Sequence, residues 1–321
     1  MEELMESVVE KWTTKVNTVT LGATKETGGT REKTVTIGGS STLPYLNFEG
    51  QWPNPPALAV EIWDVTPQDW PGPLADAYGD VWNDPAQWAK RAVEHGAELI
   101  CLTLKGTHPD FENRSPDEAA GVVKDVLGAV GVPLIVWSSG DFDKDNDVMP
   151  RVSEAAKGEN CLLGTAVEKN YKTLTASCLA DGHKIIGESP LDINIAKQVN
   201  ILISEMGFKL EDIVIFPATG ALGYGMEYSY SIMERGRTAG LSGDKMLSQP
   251  VICTVGPETW RVKEAKSSEE EFPAWGDLKK RGPLWEATCA ATLFQAGAEI
   301  MVMRHPDAVK GFRELIKQFT S

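Results

Sequence analysis

The chain has 321 residues and a mass of 34.9 kDa, and 42% of its residues are hydrophobic, so it can bury one large core or two small ones. Its 31 Lys and Arg residues against 46 Asp and Glu residues give a net charge of −15, which disfavours nucleic acid and membrane surfaces as partners. No apolar run approaches the roughly 18 residues that cross a bilayer, and Met1–Lys11 is acidic and amphipathic, unlike a signal peptide. We therefore expect a globular, cytoplasmic protein.

Residues 1–56 are predicted to form an extension ahead of the main domain. Asn17–Leu21 and Thr34–Ile37 alternate polar and apolar residues on either side of Gly22–Lys33, which predicts a β-hairpin. A short leading helix is expected before the hairpin. The extension either plugs the bottom of the domain that follows or enlarges an interface, and both interpretations stay open.

From residue 57 to residue 321, strand-like and helix-like segments alternate eight times. The predicted strands are short apolar, β-branched runs bounded by turn signals. They are Ala57–Trp63, Glu98–Leu104, Val132–Trp137, Cys161–Ala166, Lys184–Gly187, Asp212–Phe216, Pro250–Thr254 and Glu299–Met303. The predicted helices are Pro85–His95, Pro116–Val130, Val148–Lys157, Tyr171–Asp181, Ile193–Met206, Tyr228–Ala239, Leu284–Ala296 and Asp307–Phe319.

This alternation predicts an α/β fold, a (β/α)8 TIM barrel over residues 57–321 with the N-terminal hairpin as an extension. Eight strand–helix units fit that barrel, and continuous apolar strands suit a sheet that is buried on both faces. A doubly wound open sheet is the weaker alternative. In such a barrel, the loops after the strands form the functional face.

Two of these loops are long and rich in aromatic residues. Asp64–Asp84 carries Trp70, Tyr78 and Trp82, while Val255–Gly282 carries Trp260 and Trp275. Because Trp and Tyr contribute much of the energy of interfaces, we favour contact with a partner or a bulky cofactor over packing within the chain.

Polar side chains near the strand ends define no catalytic pair by their spacing. Glu188 is either a general base or, more commonly, a carboxylate that bridges loops. The run Asp141–Asp147 resembles half of a calcium loop, but Asn146 and Val152 replace the required Gly and Glu, which predicts a solvated loop. We therefore predict no catalytic and no metal-binding residue.

Cysteines and histidines do not suggest a metal site either. The five cysteines, Cys101, Cys161, Cys178, Cys253 and Cys289, include no Cys-x-x-Cys pair, which argues against zinc or iron–sulfur ligation by this chain alone. They are expected to be buried thiols. His95, His108 and His183 flank helices or turns, where we expect surface positions.

The segment Thr219–Tyr230 predicts a ligand-facing loop after the sixth barrel strand. Its three glycines, Gly220, Gly223 and Gly225, permit positive φ and close approach of a ligand. Met226-Glu227 replaces the Lys-Ser/Thr of a Walker loop, and Tyr228 stands where a dinucleotide fingerprint needs glycine, so phosphate and dinucleotide recognition are disfavoured.

Three segments together resemble a known family. The run Thr219–Arg235, with Gly187–Asn194 and the strand Ala57–Asp64, is similar to the small subunit of the corrinoid iron–sulfur protein. That family includes the delta subunit of archaeal acetyl-CoA decarbonylase/synthase. The resemblance extends over essentially the whole chain.

The resemblance implies a heterodimer with a large subunit that carries a 4Fe-4S cluster and a corrinoid-binding domain. In that family, cobalt takes a methyl group from methyltetrahydrofolate through a separate methyltransferase and delivers it to acetyl-CoA synthase in the reductive acetyl-CoA (Wood–Ljungdahl) pathway. This chain would be a non-catalytic or auxiliary subunit whose barrel face covers the corrinoid.

A corrin is a broad apolar ring edged with amides, so glycine amides, hydroxyls and carboxamides among aromatic walls would suit it. The expected cofactor contacts are Thr219, Gly220, Ala221, Gly223, Tyr224, Gly140 and Asn170. Two other functions stay open. One is a free-standing pterin-dependent methyltransferase using Asp192 and Asn194, and the other is a structural partner that binds the large subunit away from the corrin.

Overall fold

The computed structural model describes residues 9–320. The leading helix expected ahead of the hairpin lies outside the described residues. From residue 57 onward, eight parallel strands close into a barrel, which confirms the predicted fold. The barrel strands are β3 (Ala57–Trp63), β4 (Leu99–Thr103), β5 (Leu134–Trp137), β6 (Leu162–Ala166), β7 (Lys184–Glu188), β8 (Ile213–Phe216), β9 (Val251–Cys253) and β10 (Ala298–Met303).

The barrel closes between its last and first strands. β10 pairs in parallel with β3, with Ile300 opposite Ala57, and β3 pairs in turn with β4, with Ala59 opposite Leu99. Alternate strand residues therefore point into the barrel or toward the surrounding helices. The inward residues at the amino-terminal end of the strands are apolar. Polar inward side chains therefore lie at the opposite end.

The helices wrap the barrel in chain order. They are α1 (Gly72–Tyr78), α2 (Pro85–Glu94), α3 (Pro116–Ala129), α4 (Phe142–Ala155), α5 (Tyr171–Asp181), α6 (Ile193–Glu205), α7 (Met226–Leu241), α8 (Val255–Thr259), α9 (Lys263–Lys266), α10 (Leu278–Gln295) and α11 (Pro306–Thr320). The short helices α1, α8 and α9 lie inside the two long loops and were not predicted.

The acidic run after β5 is a helix start, not the solvated loop predicted from the sequence. Helix α4 begins at Phe142, because the Asp141 side chain accepts a hydrogen bond from the Lys144 amide at 2.9 Å. Acidic residues in a first turn also favour the helix dipole. Asp145 is buried there, so the carboxylates that suggested a metal loop cap and anchor a helix.

The N-terminal hairpin plugs the bottom of the barrel, as one of the two interpretations held; the role in an interface stays a prediction. Strands β1 (Thr18–Leu21) and β2 (Val35–Gly38) pair antiparallel. Val19, Leu21 and Ile37 are fully buried in one cluster with the inward residues of the barrel strands. The hairpin thus closes the amino-terminal end of the barrel and leaves the other end open.

Two buried ion pairs lie where the extension meets the barrel. Arg31 pairs with Glu159 at 2.8 Å and donates a hydrogen bond to the carbonyl oxygen of Leu127 at 2.7 Å. On another side, Arg237 pairs with Glu299 at 2.9 Å and donates to the Ser40 hydroxyl at 2.7 Å. Because both pairs are buried and fully bonded, they specify one position of the hairpin.

Candidate functional site

The open end of the barrel contains a cavity of about 690 Å³ at the carboxyl ends of the strands. This is the end at which (β/α)8 proteins bind ligands, and its volume lies within the usual range for ligand sites. Its apolar floor is formed by Trp137 and Phe216, whose rings meet edge to face at 4.9 Å between centroids, together with Val302. Aromatic and charged side chains form its walls.

One wall is organised by Glu61, an acidic residue on the inward face of β3. Glu61 is only 5% exposed and pairs with Arg304, with 2.5 Å between Oε2 and Nε. Its other oxygen accepts hydrogen bonds from Thr103 at 2.9 Å and from the Trp63 indole at 3.0 Å. The guanidinium of Arg304 also lies 4.4 Å from the centre of the Trp70 ring. The pair is therefore fixed by contacts on every side.

Arg304 is held from behind by Glu286 on α10. The Glu286 carboxylate accepts hydrogen bonds from the backbone amides of Arg304 and His305 and from the Trp260 indole, at 2.5, 3.1 and 2.7 Å. Burial raises the pKa of Glu286 to about 7, although the hydrogen bonds that it accepts oppose this. Glu286 does not line the cavity, so it positions the residues that do.

The opposite wall carries hydroxyl and carboxyl groups at the carboxyl ends of β5, β6 and β7. Thr165 donates a hydrogen bond to Glu188, which lines the cavity, and burial raises the pKa of the Glu188 carboxyl. Behind them, Asp145 accepts hydrogen bonds from the amide and hydroxyl of Ser139 at 3.0 and 2.7 Å. Glu188 thus joins the ends of two neighbouring strands, β6 and β7, and also lines the cavity; it does not bridge loops, contrary to the commoner interpretation.

Asp64 is another buried carboxylate near the mouth, directly after β3. One oxygen accepts a hydrogen bond from the Gly106 amide at 2.8 Å, and the other has no hydrogen-bond partner among the described residues. Arg114 lies 3.7 Å from that second oxygen. Burial raises the pKa of Asp64 to about 6. Asp64 does not line the cavity, so its contacts order the adjacent loops.

The long aromatic loops are largely packed against the chain itself. Tyr78 and Trp260 are buried in the main core, and Trp70 meets Trp63 and Trp88 edge to face, with 5.2 Å between each pair of ring centroids. Tyr78 is fully buried, so the prediction of contact with a partner or a bulky cofactor is wrong for that residue. Trp260 lines the cavity, and its contact with a cofactor stays a prediction. The Trp260 indole donates a hydrogen bond to Glu286 and stacks on the His305 ring, beside Arg304.

Comparison with known proteins identifies the family. The family model described as CO dehydrogenase/acetyl-CoA synthase delta subunit matches residues 18–310. The chain belongs to this family. The delta subunit of the acetyl-CoA decarbonylase/synthase complex of Archaeoglobus fulgidus is 37% identical over 316 residues, which are 95% of this chain and 69% of that relative. The delta subunit of Methanothermobacter thermautotrophicus is 38% identical over 294 residues, or 91% of this chain and 74% of the relative.

Solved structures confirm the delta-subunit barrel at the level of fold. Dihydropteroate synthase from Xanthomonas albilineans, in complex with 7,8-dihydropteroate, superposes with a TM-score of 0.56 at 14% identity, covering 83% of this chain and 95% of that one. The enzyme from Thermus thermophilus gives a TM-score of 0.53 at 13% identity, covering 88% and 98%. At this identity the likeness concerns the fold alone.

Among the residues expected from the sequence to contact the cofactor, Gly140 lines the cavity. It has a positive φ of 94°, and a side chain added there would meet no atom within 4 Å. The carboxamide of Asn170 is used inside its own loop, since it accepts from the Val167 amide at 2.8 Å and donates to the Thr165 carbonyl oxygen at 2.9 Å. Asn170 therefore supports the rim without lining the cavity.

The glycine loop after β8 lies beside the cavity lining, not within it. Thr219 accepts a hydrogen bond from the Thr254 amide at 2.9 Å, and Gly220 donates to the Ser229 hydroxyl at 2.7 Å. Ala221 is buried and pairs with Tyr224 in an isolated bridge. A side chain at Gly220 would come within 2.3 Å of the Gly225 carbonyl oxygen, so this tight turn requires glycine.

The tip of the glycine loop is exposed and aromatic. Gly223 has a positive φ of 81°, and Tyr224 is 68% exposed. The glycine loop packs on α10, where the Trp285 indole donates a hydrogen bond to the Leu222 carbonyl oxygen at 3.0 Å. The loop therefore presents Tyr224 outward, and its contact with a cofactor stays a prediction.

Several groups of the mouth were not predicted from the sequence. Glu61, Thr103, Thr165 and Glu286 were missed, although Glu188 had been noted as a polar residue near a strand end. The available signal was the single charge in the apolar run of β3, since an acidic residue within a buried strand needs a partner. The sequence did not show that this partner would be Arg304.

Asp192 and Asn194, which the pterin alternative would use, are not part of the mouth. The Asp192 side chain caps α6 by accepting from the Asn194 amide at 2.7 Å. Asp192 is therefore occupied at a helix start, and neither residue lines the large cavity. The pterin alternative consequently lacks the contacts assigned to it.

The five cysteines are buried free thiols, as predicted. His183, in contrast, is buried and not on the surface: its ring accepts from the Cys161 amide at 3.2 Å and lies 3.0 Å from the Ser153 carbonyl oxygen. Among residues 9–320, no group of three His, Cys, Asp or Glu side chains is placed to hold a metal ion. In the same part of the chain, no helix has the length and apolar character to span a membrane.

Proposed function

We propose that this chain is the smaller subunit of a methyl-carrying heterodimer and that its barrel mouth covers one face of a corrinoid held by a larger subunit. The observation that carries the proposal is the delta-subunit family match over residues 18–310, joined to a barrel whose ligand-binding end is open. The relatives are subunits of acetyl-CoA decarbonylase/synthase complexes. The methyl group would come from methyltetrahydrofolate through a separate methyltransferase and would pass to acetyl-CoA synthase.

The residues of the mouth fit one face of a corrin. The cavity of about 690 Å³ is smaller than a complete corrinoid, so the ring would lie across the opening. Trp137 and Phe216 offer an apolar surface, and Ser138, Thr165 and Glu188 offer hydrogen bonds to amide groups at the ring edge. When bound, cobalt would supply the methyl-transfer chemistry.

The chain's own residues would position the cofactor and exclude water. We assign ring contacts to Gly140 and Tyr224. Thr219, Gly220, Ala221 and Gly223 hold the loop that carries Tyr224, while Asn170 holds the loop after β6. The 4Fe-4S cluster is assigned to the larger subunit. No residue of this chain is assigned a catalytic step.

Co-expression with the candidate large subunit tests this proposal. We expect a one-to-one complex with corrinoid absorbance. Gly140→Trp should alter the visible spectrum and lower the methylation rate, because the indole would enter the space of the ring. Gly182→Trp is the matched control, since Gly182 also has a positive φ and open space but lies at the end of α5.

Two results would contradict the proposal. Methylation of free cobalamin from methyltetrahydrofolate by the purified chain alone would favour a free-standing methyltransferase. A complex in which Gly140→Trp changes neither spectrum nor rate would favour a subunit that binds away from the corrin.

A further inference from the structure

The charged groups of the mouth divide it into two sides. The barrel order places β9, β10, β3 and β4 next to one another. The loops after these strands bring four cationic side chains to the cavity lining: Lys105, Arg261, Lys266 and Arg304. The side formed after β5, β6 and β7 contributes Ser138, Thr165 and Glu188 and no cationic lining residue.

Most of the carboxylates on the cationic side are already paired. Glu61 pairs with Arg304 at 2.5 Å, Glu258 with Arg261 at 2.9 Å, and Glu112 with Arg114 at 2.8 Å. Asp69 also lines this side and is exposed to solvent. Within residues 9–320, neither Lys105 nor Lys266 has a carboxylate oxygen within 4.0 Å of its ammonium group.

Lys105 is the better placed of the two lysines. It is half-buried at the end of β4, and its Nζ atom lies 5.9 Å from the ring centroids of both Trp63 and Phe111. These cation–π contacts hold the ammonium at the cavity wall, but they satisfy none of its three hydrogen-bond donors. A partly desolvated cation facing a cavity favours an anion there, because the anion would replace lost hydration.

We propose that this side of the mouth is an anion-binding subsite, in which Lys105 contacts a carboxylate or phosphate group of the ligand and Lys266 adds to the local positive potential. In a chain of net charge −15, two unpaired lysines facing one cavity provide the local attraction that the molecule as a whole lacks. The subsite does not depend on whether a corrinoid covers the mouth. It assigns to Lys105 a role in binding and none in the reaction.

Titration of the full chain with two small anions tests the subsite. The anions are tricarballylate, a tricarboxylate, and tripolyphosphate, each added at ionic strength held constant with potassium chloride. Tryptophan fluorescence is the signal, because Trp63 lies beside Lys105. We expect saturable binding of at least one anion, and the tighter of the two identifies the preferred chemistry.

Three variants make the result specific. Lys105→Gln should weaken binding roughly tenfold, the usual effect of losing one charge-assisted hydrogen bond, whereas Lys105→Arg should keep affinity within about threefold. Lys124→Gln is the control, because Lys124 is exposed on α3 and lines none of the cavities described. It should leave the affinity unchanged.

The proposal is overturned if neither anion binds saturably, or if Lys105→Gln and Lys124→Gln have the same effect, which would indicate only general screening of charge. Circular dichroism of each variant confirms that the fold is intact. Corrinoid capture by the complex is a separate readout. If the chain binds the anions but its complex captures no corrinoid, the proposed function is contradicted and the subsite stands. If the complex captures corrinoid but the chain binds neither anion, only the subsite is contradicted.

Discussion

At the scale of single residues, the mouth depends on buried charges that hold one another in place. Glu61 and Arg304 are separated by 243 positions in sequence, yet they meet because the barrel closes between β10 and β3. Neither charge is exposed enough to be solvated by water alone, so removal of one leaves the other buried and unpaired. The site is therefore built as a unit, in which Glu286 fixes the backbone beneath Arg304.

Glu286 should make stability depend on pH. Its pKa is about 7 in the folded chain against an ordinary value of 4.5, so its contribution is fully present below pH 4.5 and is lost as pH rises through 7. Measured by urea unfolding, the contribution of Glu286 to the free energy of unfolding should fall by roughly 2.5 kcal/mol between about pH 5 and about pH 8.

Comparison with Glu286→Gln isolates this contribution. Asp64, whose pKa is raised to about 6, changes stability in the same direction as Glu286. Burial lowers the pKa of His95, His183 and His305, which changes stability in the opposite direction. These contributions are common to both proteins and cancel in the difference. Over this pH range, the free energy of unfolding of the unsubstituted chain should fall relative to that of Glu286→Gln. An identical pH slope in the two proteins would contradict the assignment.

At the scale of elements, the N-terminal hairpin is part of the barrel core. Leu21 is fully buried against the inward strand residues, whereas the neighbouring Thr20 faces outward. Leu21→Ala should reduce the free energy of unfolding by about 2–4 kcal/mol, because it leaves a cavity at the barrel floor. Thr20→Ala should change it by less than about 1 kcal/mol, since it loses one exposed hydrogen bond to Thr36. Equal effects in chemical denaturation would show that the hairpin does not plug the barrel.

The sequence predicted most elements because the barrel strands are short apolar runs that local pattern identifies. It misplaced the start of α4, since the Asp141–Asp147 run has the composition of a loop and only the cap at Asp141 marks a helix. The mouth was harder to predict. Which strand ends converge on Glu61 depends on barrel closure, and the packing of Leu222 on Trp285 depends on contacts between distant segments. Pattern along the chain does not encode such contacts.

At the scale of the whole molecule, the two ends of the barrel differ in kind. The amino-terminal end is closed by the hairpin and by two buried ion pairs, and the carboxyl-terminal end keeps a cavity with a cationic side and a hydroxyl–carboxyl side. A rigid, plugged barrel suits a subunit that presents one fixed face. Under the proposed function, two enzymes would reach the same cofactor in turn, and that face would then separate from the corrinoid during the cycle.

Hydrogen–deuterium exchange tests the central claim most directly, by comparing the free chain with its complex with the corrinoid-loaded large subunit. We predict slower exchange in the complex across the mouth loops, residues 104–112, 138–142, 219–225 and 254–266, with no change in the hairpin, residues 18–38. Protection confined to the hairpin end or to the outer helices, with exchange at the mouth loops unchanged, would contradict the proposal that the barrel mouth covers the corrinoid.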